Sequence, residues 1–288
     1  MLGDAPSFRR VLNAAQVVAA TDVNVLILGE NGTGKELLAR SIHGISHRCA
    51  GPFVTLKCAD IEEVSFKAEL AVCRDRAAGG TLFLDEISEV PLACQGRLLG
   101  FAEGRNQASE VRVIAASSRS LWSAVENGDF RRDLYYRLCV VPLELPPIRE
   151  RIQDIPLLLS HFLGDASQAH RLKPPRFNGG AERLLRRYRW PGNVREIRNF
   201  AERMVILFSG RDVGPDNLPW EIRRGDAVSD DGVSFRLPES GINLEQLEAE
   251  VIRQALVLAG GNKSRAARLL GLTRDTLLYR IQKYLIRV

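Results

Sequence analysis

The run Gly29-Glu30-Asn31-Gly32-Thr33-Gly34-Lys35-Glu36 constrains the fold of this chain more than any other stretch. It follows an apolar segment, Val23 to Leu28, that reads as a buried strand. It opens into Leu37-Leu38-Ala39-Arg40-Ser41-Ile42, whose apolar spacing reads as a helix. A strand, a glycine-rich loop and a helix start are the context of a phosphate-binding loop. Glycines at 29, 32 and 34 let the backbone curl until several N–H groups face one anion. The helix start adds its positive dipole end, and Lys35 supplies a point charge for the β- and γ-phosphates. The whole loop is therefore read as nucleotide-binding, with Glu30, Asn31, Thr33 and Glu36 included. The residue after the lysine is Glu36 rather than Ser or Thr, so a magnesium-binding hydroxyl is missing there, and Thr33 comes too early to replace it. The competing reading, a glycine-rich turn without function, loses to the flanking strand and helix.

The remainder of the first half alternates. Phe8–Ala19 reads as a helix, Pro52–Leu56 as a strand, Phe66–Ala78 as a helix ended by Gly79-Gly80, and Thr81–Glu86 as a strand. A helix from Pro91 to Ala102, a strand at Val111–Ala115, a short helix at Leu121–Glu126 and a strand at Cys139–Leu143 follow. Such alternation predicts an α/β fold with a parallel sheet covered on both faces and ligands at the strands' carboxyl ends. Past Pro146-Pro147 the strands stop, and Ile152–Gly164, Ala181–Tyr188 and Val194–Phe208 read as a small helical domain. Arg223–Ser240 reads as a linker, and the basic segment from Leu244 onward as helical again. The domain boundaries that follow are 1–145, 146–222, 223–241 and 242–288.

Composition sets only outer bounds. Of 288 residues, 45% are hydrophobic and 26% charged, as in ordinary globular proteins, and the net charge of +5 permits nucleic-acid binding. The five cysteines show no metal spacing and read as reduced thiols. No apolar run approaches the ~20 residues that span a bilayer. The expectation is a cytoplasmic protein without a membrane partner.

Four constellations carry chemistry. Asp85 and Glu86 end an apolar strand, where Asp85 is placed to hold Mg²⁺, directly or through water, and Glu86 to orient the attacking water. In Phe130-Arg131-Arg132-Asp133-Leu134-Tyr135-Tyr136-Arg137, Arg131 and Arg137 are candidates for cations that a neighbouring subunit presents to the developing charge, while Arg132 reads as a solvated face. In Trp190-Pro191-Gly192-Asn193-Val194-Arg195-Glu196, Asn193 reads as a helix cap and Arg195 as a first-turn cation reaching back to a phosphate, against an ordinary helix connection with a surface arginine. Finally, Gly260–Leu272 followed by Thr273–Arg280 fits a helix-turn-helix whose second helix is basic. Lys263, Ser264, Arg274, Thr276, Arg280 and Lys283 are its candidate contacts to double-stranded DNA, with Leu277, Leu278 and Ile281 as core.

In this order the four constellations resemble the NtrC-type bacterial enhancer-binding proteins, the AAA+ activators of sigma-54 RNA polymerase. GENGTGKE is similar to that family's Walker A, where Glu after Lys is usual, and GGTLFLDEI to its Walker B. FRRDLYYRL resembles the arginine-finger segment, and LPPIRERIQDIP and WPGNVREIRN the lid and second sensor. The resemblance covers nearly the whole chain. It implies an AAA+ P-loop NTPase domain with a helical lid, a C-terminal all-α Fis-type helix-turn-helix domain, and ATP with Mg²⁺ as ligands. It further implies dimers through the C-terminal domain, hexameric or heptameric rings with ATP between subunits, and an RNA polymerase holoenzyme as partner.

The departures shape the functional expectation. The family's GAFTGA loop, which contacts sigma-54, sits in a long insertion before Walker B, whereas here Lys67–Leu70 runs through Ala71–Ala78 straight into Gly79-Gly80-Thr81. A second family loop reads as shortened at Glu103–Glu110. Lys57 aligns with the asparagine that switches the catalytic glutamate, and is expected either to pair with Glu86 or to slow hydrolysis. Ser117-Ser118 stands where the family has its first sensor, a Thr-Asn or similar pair. No regulatory domain precedes Leu2, which implies a longer natural chain or a member without one. The reading is an ATP- and DNA-binding transcriptional regulator that does not remodel sigma-54 and acts with another holoenzyme or as a repressor. A conventional sigma-54 activator using another surface and a DNA-localised remodelling motor are the alternatives.

Overall fold

A computed structural model describes residues 1–61, 63–102, 111–224 and 244–284. The chain divides into two compact units, Met1–Val228 and Ser229–Val288. The shortened loop read at Glu103–Glu110 lies outside the described residues, as does the linker beyond Arg224.

The first unit is built on five parallel strands, β1 (Val25–Leu28), β2 (Phe53–Lys57), β3 (Thr81–Asp85), β4 (Arg112–Ser117) and β5 (Val141–Glu144). Their order is β2-β3-β4-β1-β5. The period of two in each strand sorts side chains onto opposite faces. Leu26, Leu82, Leu84, Val113 and Ala115 pack with α3 (Phe66–Arg76), α4 (Leu92–Ala102), α5 (Leu121–Asn127) and α6 (Arg132–Leu138). Val25, Ile27, Phe83, Ile114 and Ala116 pack with α1 (Pro6–Ala19) and α2 (Lys35–Gly44) on the other face. Each large apolar side chain buried this way contributes about 1.5–3 kcal/mol. Because the strands are parallel and in register, Leu28 lies beside Ser117 and Leu84 beside Ala115. The loop after β1, the carboxylates after β3 and the serines after β4 therefore share one edge of the sheet.

After the sheet in the chain, α7 (Ile155–His170), α8 (Gly179–Arg187), α9 (Asn193–Leu207) and α10 (Trp220–Arg224) form a helical lid. Its core includes Leu158, Leu185, Trp190, Ile197 and Phe200. Trp190 is fully buried and donates its indole N–H to the Leu185 carbonyl at 2.9 Å. The lid is not strand-free as expected: β6 (Arg176–Phe177) pairs in parallel with β7 (Asp212–Val213). Two-residue strands carry no hydrophobic period, so the sequence offers no signal for them.

The second unit contains α11 (Leu244–Leu258), α12 (Lys263–Leu269) and α13 (Arg274–Lys283). Ile252, Ala255, Leu256, Ala266, Ala267, Leu277 and Ile281 form its core. The Asn262 side chain accepts from the N–H groups of Ser264 and Arg265, capping α12, and Thr273 caps α13 through the Thr276 N–H. Gly271 takes φ +64° in the turn between α12 and α13.

Candidate nucleotide site and nucleic-acid interface

The loop after β1 is shaped by its glycines. Gly32 and Gly34 adopt φ +79° and +103°, and a Cβ on Gly32 would stand 2.2 Å from the Gly192 carbonyl oxygen. α2 begins at Lys35 with no side-chain cap. Its first-turn N–H groups are thus left for an anion, the donor set a phosphate requires. Lys35 is 7% exposed, and its Nζ donates to the Gly29 carbonyl at 2.9 Å and pairs with Glu86 Oε1 at 2.9 Å. Two clefts flank the loop. One, of 700 Å³, is lined by Arg10, Gly29, Glu30, Ser118 and Arg149 among others; the second, of 430 Å³, is lined by Asn31, Gly192 and Arg195 among others.

Not every loop side chain faces a ligand. Glu36 is exposed and pairs with Arg40 one turn on, so only its backbone N–H remains for a phosphate. Thr33 donates its hydroxyl to the Glu30 carbonyl at 2.8 Å and stays structural. The Glu30 carboxylate receives both terminal nitrogens of Arg149, at 2.6 and 2.7 Å, and Asn193 Nδ2 at 3.1 Å. Arg149 above all holds the Glu30 carboxyl below the usual range. Any part of Glu30, Thr33 and Glu36 in nucleotide binding therefore falls to their backbone, as the reading of the loop from its N–H groups has it.

Glu86 directly follows β3 in the left-handed region, at φ +54°. Its second oxygen accepts from Ser118 N–H at 2.8 Å and Ser118 Oγ at 2.7 Å. Burial pushes the Glu86 carboxyl up, but the Ser118 bonds and Lys35 outweigh it and hold the group below its ordinary value. Asp85 is shifted the other way, first by burial and then by the charge of Glu86. A half-buried carboxylate whose desolvation outweighs the charges of Lys35 and Lys57 fits the place of a Mg²⁺ partner. Lys57 does not pair with Glu86. It stands opposite Asp85 across the β2–β3 register with an exposed side chain, and no hydrogen bond or ion pair of Lys57 occurs among the described residues. The strand order explains this, because Glu86 turns toward β4 and β1 while Lys57 lies on the β2 side.

The lid meets the loop through Asn193. This residue is fully buried, adopts φ +52°, and is not a cap: its Oδ1 accepts the Ile148 N–H at 2.9 Å, and its Nδ2 donates to Glu30 and to the Asn31 carbonyl. The Val194 N–H donates to the Gly32 carbonyl at 3.0 Å, which brings the first turn of α9 onto the loop. Arg195, next along, is exposed and lines the cleft beside Asn31. Arg151 reaches the same loop from the other side, donating to the Thr33 carbonyl at 3.3 Å with its guanidinium 4.4 Å from the Phe8 ring centroid. Sequence reasoning missed Arg149, Arg151 and the role of Asn193; the arginines flanking Glu150 are the only trace, and they look like a surface run.

The two candidate finger residues do not share the loop's surroundings. Arg131 is exposed and holds Asp133 at 2.7 Å. The Arg137 carbonyl accepts from Asn24, just before β1, at the opposite end of the sheet from Gly29.

In the second unit Arg274 is exposed at the start of α13, and Lys263 and Ser264 open α12. Thr276 shares a hydroxyl contact with Thr273, and Lys283 lies over the Tyr284 ring. Arg280 departs from expectation, because its guanidinium forms an ion pair with Glu248 of α11. An arginine already matched to a carboxylate ties two helices together before it meets any phosphate. Arg265 and Arg268, both exposed on α12, were passed over in the sequence.

Comparison with known proteins gives three family matches along the chain. Residues 2–148 match the sigma-54 interaction domain, 149–234 the AAA+ ATPase lid domain, and 243–284 the bacterial regulatory protein, Fis family. The chain is similar to the transcriptional regulatory protein ZraR of Escherichia coli (strain K12), with 40% identity over 307 residues, covering 98% of this chain and 68% of that protein. It is 36% identical to the DNA-binding transcriptional regulator NtrC of Azospirillum brasilense, covering 100% of this chain and 70% of that protein. Among solved structures, NtrX from Brucella abortus in complex with ADP superposes with a TM-score of 0.73 at 30% identity, covering 99% of this chain and 69% of that one. No helix among the described residues is long and apolar enough to cross a membrane.

Proposed function

Because the chain belongs to the NtrC family of sigma-54-dependent transcriptional regulators, with an AAA+ domain, a lid and a Fis-type DNA-binding domain, we propose that it is an atypical member that binds ATP and specific DNA without remodelling sigma-54. It acts with another holoenzyme or as a repressor, and ATP serves mainly to set its oligomeric state. The observation that carries this reading is α3: Phe66–Arg76 is one uninterrupted helix, and only the turn at 77–80 separates it from β3. We read this segment as the place where the GAFTGA insertion is missing, a reading supported by the absence of that hexapeptide from the sequence. The alignment to ZraR also runs over more positions than this chain has residues, so that relative carries segments the chain lacks. The domain boundaries at 145, 222 and 241 belong to the same proposal.

In this role the backbone of Gly29–Lys35 and the Lys35 ammonium hold the phosphates, Asp85 holds Mg²⁺, and Arg195 approaches from the lid. Mg²⁺ held there would supply charge neutralisation at the phosphates. Glu86 is the residue that takes a proton from water, and Arg131 and Arg137 serve a neighbouring subunit. Lys263, Arg274 and Lys283 meet DNA phosphates, which supply affinity with little sequence information.

The test is transcription reconstituted with purified components. The proposal expects no open complex at a sigma-54 promoter, and a change in transcription by another holoenzyme at a promoter the protein footprints. Activation at the sigma-54 promoter sinks it. The sigma-54 interaction domain match over residues 2–148 favours a second reading, a conventional activator with a different contact surface. Stable binding to sigma-54 in the presence of a transition-state nucleotide analogue supports that reading instead.

A further inference from the structure

We infer that the lid carries a DNA-contact surface of its own, the outer faces of α8 and α10, which hold the phosphate backbone of double-stranded DNA without reading its bases. It is additional to the contacts proposed for α12 and α13 and lies wholly in the first unit. Residues 149–224 contain 15 arginines and lysines against 9 carboxylates, a net charge of +6, whereas the whole chain carries +5. The residues outside the lid therefore sum to −1. All but Lys173 of those lid cations are arginine, whose planar fork matches a phosphate where lysine offers a point charge. On α8, Arg183, Arg186 and Arg187 follow at helical spacing on the side opposite the buried Ala181 and Leu185. α10 packs against α8 and adds Arg223 and Arg224, which share a recess with Trp220. All five arginines are exposed, and none forms an ion pair among the described residues. Arg183 spends only its Nε, on the Gly179 carbonyl at 3.1 Å.

Other exposed arginines of the same unit differ: Arg40, Arg131 and Arg149 each hold a carboxylate. Like charges three and four residues apart repel, so a helix face of arginines alone is destabilising until an anion meets it. An anionic membrane is met by helices with an apolar side to insert, and α8 has already buried its apolar side in the lid core. An unmatched array of guanidinium groups fits duplex DNA instead, whose backbone carries one charge per about 1.7 Å of axis. The Fis-type segment of the same chain, once on DNA, raises the concentration of phosphates around the lid. Contacts of this kind add affinity and salt dependence but no sequence information.

Fluorescence anisotropy of the full chain with a labelled random-sequence DNA duplex, across a salt series, tests this. Each lost phosphate contact reduces the slope of log affinity against log salt by about 0.9. The pair Arg186→Ala with Arg187→Ala should therefore bind more weakly with a slope shallower by about two, and the pair Arg223→Ala with Arg224→Ala should do the same. Arg186→Lys with Arg187→Lys keeps the charge and should keep the wild-type slope. Slopes unchanged in both alanine pairs, while Arg274→Ala in α13 still lowers its own, overturn the proposal and leave DNA binding to the second unit. A lysine pair that loses as much as the alanine pair marks a disturbed lid instead of a lost charge, and overturns it too. Pelleting with phosphatidylserine vesicles is the control: retention lost in the alanine pairs, with duplex binding intact, gives the face to a membrane and overturns the proposal. A wild-type chain that binds no duplex takes down this inference and the DNA-binding reading together.

Discussion

Asp85 and Glu86 are neighbours whose titrations oppose each other, and the opposition predicts two stability changes. Glu86 has a folded pKa below its unfolded value, so its stabilisation is fully present above the unfolded value and is lost as pH falls through the folded one. Asp85 has a raised folded pKa, so the folded state binds its proton more tightly and stability falls as pH rises through that value. Asp85→Asn should therefore raise the thermal midpoint of the nucleotide-free protein at pH 7 while it weakens the Mg²⁺-dependent part of ATP binding. Glu86→Ala should lower the midpoint, because it strips the nearly buried Lys35 of its counter-charge, a loss of roughly 3 kcal/mol. Calorimetry at pH 7 and pH 4 separates the two; equal shifts of one sign for both variants refute the assignment. That these carboxylates end a strand is readable from Thr81–Glu86 alone. Their partners are not, because Ser118 and Lys35 meet Glu86 only after β4 and β1 take their places in the sheet order. A linear reading put Lys57 there instead, since strand register places it opposite Asp85 but says nothing of which way Glu86 turns.

Helix positions follow from apolar spacing, and most boundaries move by only a few residues between expectation and structure. The exceptions lie where long-range contacts decide. The first lid helix begins at Ile155 rather than Ile152, because Ile148–Glu150 and Ile152–Asp154 form separate tight turns. At the start of α9 the sequence pattern signals a cap, yet Asn193 spends its amide on Ile148, Glu30 and Asn31. Asn193→Ala strands the Ile148 N–H in the interior and places a Cβ residue without a local hydrogen-bonding group at positive φ. The expected cost is about 3 kcal/mol in denaturant unfolding, from the orphaned donor plus the left-handed backbone. Asn193→Gly relieves the backbone alone and should recover about 1 kcal/mol of it. No difference between the two variants would remove the strain argument. A parallel contrast divides α13. Arg274→Ala should weaken DNA binding and flatten its dependence on salt by about one counterion, whereas Arg280→Ala should chiefly destabilise the α11–α13 unit by breaking the pair with Glu248. A salt slope that changes only with Arg280→Ala would restore the DNA-contact reading of that residue.

For the whole molecule the decisive geometry is where Arg137 lies relative to its own phosphate loop. Its carbonyl accepts from Asn24 just before β1, while the loop begins at Gly29 beyond the other end of that strand. Strand residues advance about 3.3 Å each, so the two sites are separated by about 16 Å along the sheet, farther than an arginine side chain extends. If Arg137 takes part in phosphoryl transfer, it must do so on a second copy of the chain. The consequence is that two inactive variants should rescue each other. Lys35→Ala destroys a subunit's own phosphate site and leaves its arginines intact; Arg137→Ala leaves the phosphate site and removes the arginine it would present. Each alone should lack ATP turnover. Mixed at concentrations where the chain assembles, they form interfaces that pair an intact loop with an intact Arg137, and hydrolysis should reappear, with a maximum near equal amounts. The same mixture should stay inactive when diluted below the assembly range, where wild-type turnover per subunit also falls. Activity in Arg137→Ala alone would mean that the arginine has no catalytic part. A mixture that stays silent while the wild type turns over would mean that the site is completed within one subunit, against the separation along β1.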